Sequence, residues 1–127
     1  MNIVSFGKFD APNTTPITDD LGGWIPVEGS PSMKTWIEHA SADGKYLTGF
    51  WEAMPGTYQV TYNADEMVHM FKGKATLTED GGESRTFSGG DSFVVKAGFK
   101  GTWKTIEKVQ KIFAIKIPEN VAAPFGE

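Results

Sequence analysis

From Thr35 onward, short runs rich in Val, Ile, Thr, Phe, Tyr and Trp are interrupted at close intervals by turn-forming residues, and this punctuation narrows the folds open to the chain. Ala42-Asp43-Gly44, Pro55-Gly56, Glu79-Asp80-Gly81-Gly82 and Gly89-Gly90 supply the positive or fixed φ values that tight turns need. The runs between them predict strands at 34–39, 46–54, 57–62, 67–78, 84–87, 91–96, 99–107 and 109–117. No stretch carries the apolar period of a long amphipathic helix. Strands joined by turns, without crossover helices, predict an all-β, mostly antiparallel sandwich or barrel.

Residues 1–33 read differently, being rich in Pro, Gly, Asp and Thr with apolar islands only at 3–9 and 24–27. They predict an N-terminal arm packed on a barrel at 34–117, followed by an irregular C-terminal tail at 118–127. A length of 127 residues suits one domain, and a 13% aromatic content is that of a chain able to build a core. The absence of cysteine excludes disulfides, thiolate nucleophiles and Cys-ligated zinc, and fits a reducing compartment. The Asn13-Thr14-Thr15 sequon is then expected to be inert.

Twelve basic residues are scattered among sixteen acidic ones, net −4, so no basic stripe is available to follow a phosphate backbone and nucleic acid is not an expected partner. No apolar run approaches the roughly 18 residues of a spanning helix, and the first residues lack the pattern of a signal peptide. A cytoplasmic protein with no membrane partner is the expectation.

Two spacings carry more. Glu66 and Gly73 fit E-x6-G, and Gly90 and Gly98 fit the paired glycines of a second motif. The chain thereby resembles the cupin superfamily, which implies a single RmlC-like jelly-roll β-barrel. Trp51-Glu52, Pro55-Gly56, Asp65-Glu66, Gly90-Asp91-Ser92-Phe93, Ala97-Gly98-Phe99, Gly101-Thr102-Trp103 and Lys111 resemble the subfamily that includes the cupin domains of (S)-ureidoglycine aminohydrolase and ethanolamine utilisation protein Q. That resemblance covers 34–117 and points to small nitrogenous catabolites such as ureides or amino alcohols.

The departures matter as much as the matches. Cupin metal centres use histidines that would fall at Gln59 and Thr61, or at Val60 and Tyr62, with a third at Gly101, and none of these positions holds histidine. Gly56 lies ten residues before Glu66, where the motif has twelve or thirteen, so the loop presenting the paired histidines is shortened. Only His39 and His69 exist, so a three-histidine site is impossible. Strand alternation puts Glu66, Val68 and Met70 on one face and Met67, His69 and Phe71 on the other. His69 is therefore expected to serve packing or an interface. If a metal were present, Glu66 and His69 would be its candidate ligands.

Glu66 occupies a position that faces the barrel interior in the resembled family, where burial would suit it to general acid or base work; a solvated rim carboxylate is the alternative. Lys96 stands where a proline usually closes the second motif, and is either a partner for Glu66 or a substrate carboxylate, or a solvated surface lysine. Glu66 and Lys96 are the candidate catalytic pair. In the 99–107 run, period two places Phe99, Gly101, Trp103 and Thr105 on one face, so that Trp103 fills space beside the missing histidine. Trp51, Tyr62, Trp103 and Thr105 are the candidate ligand-binding residues, ordinary core packing being the alternative for each aromatic.

The resulting expectation is a pocket bounded by Tyr62, Glu66, Lys96 and Trp103 that binds a small polar metabolite with no cofactor. The alternatives are an aminohydrolase-like or isomerase-like enzyme using Mn, Fe, Ni or Zn, and a dimeric structural module without ligand. A homodimer is expected because an open barrel leaves sheet edges for a partner strand to cover.

Overall fold

The computed structural model describes residues 2–121. The strands are β1 (Trp24–Glu28), β2 (Met33–Ala40), β3 (Tyr46–Ala53), β4 (Gly56–Thr61), β5 (Asp65–Glu79), β6 (Ser84–Ser88), β7 (Ser92–Val95) and β8 (Lys100–Lys116). All pairings are antiparallel. The fold is the all-β cupin jelly roll, and among the described residues no helix is long and apolar enough to cross a membrane.

Two long strands form the spine. β5 and β8 pair along nearly their whole lengths, from Asp65↔Lys116 to Glu79↔Gly101. The other edge of β8 is shared: its first part pairs with β4 and its second with β3, which in turn pairs with β2. The other edge of β5 carries β7 and then β6. The predicted strands 99–107 and 109–117 are thus one strand. Each half has its own partner, so the exposed stretch Ile106-Glu107-Lys108 marks a change of neighbour within β8.

Where the spine bends, its registers shift between Met70 and Ala75. Buried positions on β5 change from Val68 and Met70 to Ala75 and Leu77, a change of parity that needs an irregular residue between them. Gly73 supplies it. Its φ is +98°, and a Cβ there would fall on the Lys108 carbonyl.

The inner face of the curled sheet gathers Trp51, Tyr58, Val60, Val68, Met70 and Trp103, each no more than 2% exposed. At about 1.5–3 kcal/mol for each large side chain fully buried, these inward rows are the main stabilising term. Strand alternation then sends Phe50 and Trp36 to the outer face, where the N-terminal arm covers them. Phe9 packs edge-on against Trp36, Phe50 and Phe71 at centroid distances of 5.5, 5.6 and 6.2 Å.

One carboxylate clasps residues 7–14 of the arm. Glu38 Oε1 accepts from the Gly7 and Asn13 amides at 2.8 and 3.2 Å, and Oε2 from the Thr14 amide and hydroxyl at 3.1 and 2.8 Å. Burial opposes ionisation of Glu38, but the bonds from Gly7, Thr14 and Asn13 outweigh it and hold the carboxyl below its usual range. Further on, Ile17 bridges the backbone of Thr35, and residues 24–28 pair with β4 as β1, an element not predicted from the sequence. Of the predicted tail, residues 122–127 lie outside the described residues, while Lys45 donates to the Pro118 and Val121 carbonyls.

Candidate functional site

At the inner face, β4 points Tyr58 and Val60 inward, and Tyr62 follows just beyond its end. Four residues on, Glu66 opens the inward row of β5. The Tyr62 hydroxyl donates to Glu66 Oε1 at 2.7 Å, and the Lys111 ammonium donates to Glu66 Oε2 at 2.9 Å. Lys111 comes from β8, where Val109, Lys111 and Phe113 face inward at alternate positions. It is paired with Trp51 across β3 and with Met70 across β5.

The ion pair is buried, with the Lys111 side chain 1% and the Glu66 side chain 6% exposed. What makes burial of the ammonium tolerable is that its faces are covered. Nζ lies 4.3 Å from the Trp51 ring centroid and 4.7 Å from that of Trp103, an arrangement worth up to about 2 kcal/mol when desolvated. Burial pushes the pKa of Lys111 below its ordinary value, against the opposing pull of the Glu66 charge and hydrogen bond. Burial, then the Glu66 charge, pushes the Tyr62 phenol well above its usual value, which keeps Tyr62 a neutral donor.

The indoles are themselves fixed. Trp103 Nε1 donates to Thr105 Oγ1 at 3.0 Å, and Trp51 Nε1 points to Met33 Sδ at 3.4 Å. Trp24, delivered by β1, lies within 5.4–6.0 Å centroid distance of Trp51, Tyr58, Tyr62 and Trp103. It closes the aromatic cluster from the arm side.

Beside this network lies a cavity of about 90 Å³. That is several times the roughly 10–15 Å³ needed to admit one water. Trp24 and Trp51 wall it, Phe113, Ile115 and Ile117 line its apolar side, and Tyr62, Glu66 and Lys111 form its polar end. Thr35 also lines it; its Oγ1 is buried and has no hydrogen-bond partner among the described residues.

The structure thus places Trp51, Tyr62 and Glu66 around one cavity. Trp103 and Thr105 stand behind it, supporting Lys111 rather than lining the space. Lys96 is exposed in the turn after β7 and does not line the cavity; the amine that meets Glu66 belongs to Lys111. Strand parity explains the exchange, since β7 turns Val95 inward and its neighbour outward. His69 sits on the face of β5 opposite Glu66, with Nδ1 2.8 Å from Ser92 Oγ. His39 packs against Tyr46.

The donor set does not fit the divalent cation that a cupin fold implies. Both Glu66 oxygens are already engaged, and the inward residues at the ligand positions are Val60, Tyr62 and Gly101. Among the described residues, no cluster of three or more His, Asp or Glu side chains converges. Gly101 leaves no space for a side chain, because a Cβ there would fall on the Thr78 carbonyl.

The sequence reading missed Trp24, Thr35 and Lys111 as site residues. Lys111 carried a usable signal, a lysine at an inward position between Val109 and Phe113. Trp24 stood in an apolar island but lacked any long-range mark, and Thr35 had none.

Comparison with known proteins bears on the fold and the family. No curated protein matches the chain. Among solved structures, it is similar to the Clostridium difficile EutQ protein, with 19% identity, TM-score 0.63 and 71% of each chain covered. A putative ethanolamine utilization protein Q from Salmonella typhimurium is 14% identical with TM-score 0.59, over 82% of this chain and 97% of the other. A protein of unknown function from Pseudomonas syringae, of the DUF861 family, is 21% identical with TM-score 0.65, over 81% of this chain and 44% of the other. At these identities the likeness establishes the fold. The family model for the EutQ-like cupin domain matches residues 40–113, and the chain belongs to that family.

Proposed function

We propose that this domain binds a small polar metabolite in the Trp24–Trp51 cavity, with the Lys111 ammonium, rather than a metal ion, as the cation beside Glu66. The observation that supports this most is the buried Tyr62–Glu66–Lys111 network at the polar end of the cavity. The carboxylate that the cupin resemblance would give to a metal is satisfied by the chain's own ammonium and phenol. Aromatic walls and a few fixed polar groups are the usual make-up of a small-molecule site.

Resemblance supplies the metabolite class. The similar Salmonella protein is described as a putative ethanolamine utilization protein, and small nitrogenous catabolites fit a cavity of this size. Self-association is the second part of the reading: exposed Met67 and Val94 lie opposite one another across β5 and β7, on the face away from the cavity, where a second copy would cover them.

Elemental analysis and native mass spectrometry of the protein as isolated test this directly. The expected result is a dimer without stoichiometric Mn, Fe, Ni or Zn, whose tryptophan fluorescence changes on titration with a small-metabolite panel. One equivalent of metal, lost in Glu66→Gln protein, would favour the metal-dependent enzyme instead.

A further inference from the structure

Building on that binding reading, and narrowing its nitrogenous metabolites to the uncharged ones at the expense of amino alcohols, we infer that the cavity selects an uncharged small amphiphile, an amide or alcohol whose polar head bonds the Thr35 hydroxyl, over carboxylates and amines of the same size.

The charge inventory of the lining leads there. Glu66 and Lys111 carry opposite charges 2.9 Å apart, and the remaining titratable lining group, Tyr62, donates to Glu66 as a neutral phenol. The site is therefore balanced before any ligand arrives. A carboxylate would compete with Glu66 for the ammonium, and an amine would compete with Lys111 for the carboxylate. Either leaves one charge uncompensated in a space walled by Trp24, Trp51, Phe113 and Ile115.

What the site lacks is a partner for Thr35. Its residue is 1% exposed, its backbone amide and carbonyl are bonded to Ile17 at 2.9 and 2.7 Å, and its Oγ1 is the buried side-chain polar atom without a partner among the described residues. Buried hydroxyls are nearly always satisfied. The Ile17 bridge and the cross-strand pairing Thr35↔Trp51 fix the residue at the cavity wall. A ligand carbonyl or hydroxyl satisfies Oγ1, while its alkyl part meets the indoles and the β8 side chains.

Four probes scaled to the cavity test this: propionamide, 1-propanol, propionate and propylammonium, titrated at pH 7 against the full chain by ligand-observed NMR and tryptophan fluorescence. Propionamide and 1-propanol are expected to bind at least about tenfold more tightly than either ion. Thr35→Val should weaken propionamide about five- to tenfold, and Thr35→Ser should bind like the parent. Circular dichroism confirms that each variant is folded. Tighter binding of propionate or propylammonium overturns the ligand class while leaving the binding reading intact. Unchanged propionamide affinity in Thr35→Val overturns the role of the hydroxyl. No signal from any probe overturns the binding reading, and the inference with it.

Discussion

Replacing Lys111 by Met removes the ammonium from a buried pair while filling a similar volume, and the structure sets the scale of the loss. At 2.9 Å the pair attracts by about 6 kcal/mol with an effective dielectric of about 20. Not all of that is net stability, because the ammonium's own desolvation is relieved by the substitution. Breaking one side of a buried pair typically costs about 3–5 kcal/mol. That is a large share of the roughly 5–15 kcal/mol by which such a domain is stable. At about 4 °C per kcal/mol, Tm should fall by roughly 12–20 °C at pH 7.

The loss should come from the carboxylate left buried without its cation. Adding Glu66→Gln should recover about 2 kcal/mol or more, because the double variant buries no charge. Urea unfolding of the parent, both single variants and the double variant at pH 7 provides the cycle. Additive single effects, or a Lys111→Met loss below about 0.5 kcal/mol, would refute the reasoning.

Tyr62→Phe removes a bond to a buried carboxylate and should cost about 1.5–3 kcal/mol. Because the Tyr62 pKa is raised, its contribution is complete below about pH 10 and lost as pH rises through the folded value, so the variant's stability should decline less steeply above pH 10 than the parent's. Glu38→Ala should free residues 7–14 from β2, read as faster tryptic cleavage after Lys8 and loss of amide protection at Gly7 and Thr14. In the parent the same clasp is present above the unfolded carboxyl pKa and fails as pH falls through the lowered folded value. Gly101→His, which places a histidine at the third ligand position of the general cupin motif, should unfold or strongly destabilise the protein instead of creating a metal site, since even a Cβ collides with the Thr78 carbonyl; calorimetry with and without Ni checks it.

Alternation and turn chemistry made most of the sheet legible. The inward row Glu66, Val68, Met70 and the outward row Met67, His69, Phe71 follow from period two alone, as do Gly101, Trp103 and Thr105 on β8. What period two could not show was continuity. Ile106-Glu107-Lys108 look like a break, but β5 pairs across them and keeps β8 whole. Trp24 needed the β1–β4 pairing, 36 residues apart at Trp24↔Val60, before it could be placed over the cavity.

The cation is hidden for a related reason. Lys96 stands at a motif position and is the solvated lysine of the two alternatives, whereas Lys111 reaches Glu66 because β8 lies between β3 and β5, a pairing that its inward position alone does not reveal. The loss of the metal ligands, by contrast, was plain in the residues themselves. The structure adds its physical counterpart: Tyr62 and Lys111 take up the two oxygens of Glu66.

The most direct test is NMR of the Lys111 side-chain nitrogen in uniformly labelled protein, assigned by its loss in Lys111→Met. A protected ammonium signal, displaced by the ring currents of Trp51 and Trp103 and unchanged when Mn, Ni or Zn is added, is the predicted result. An amine in free exchange with solvent, or a signal that moves stoichiometrically with added metal, would contradict the assignment of Lys111 as the cation of this site.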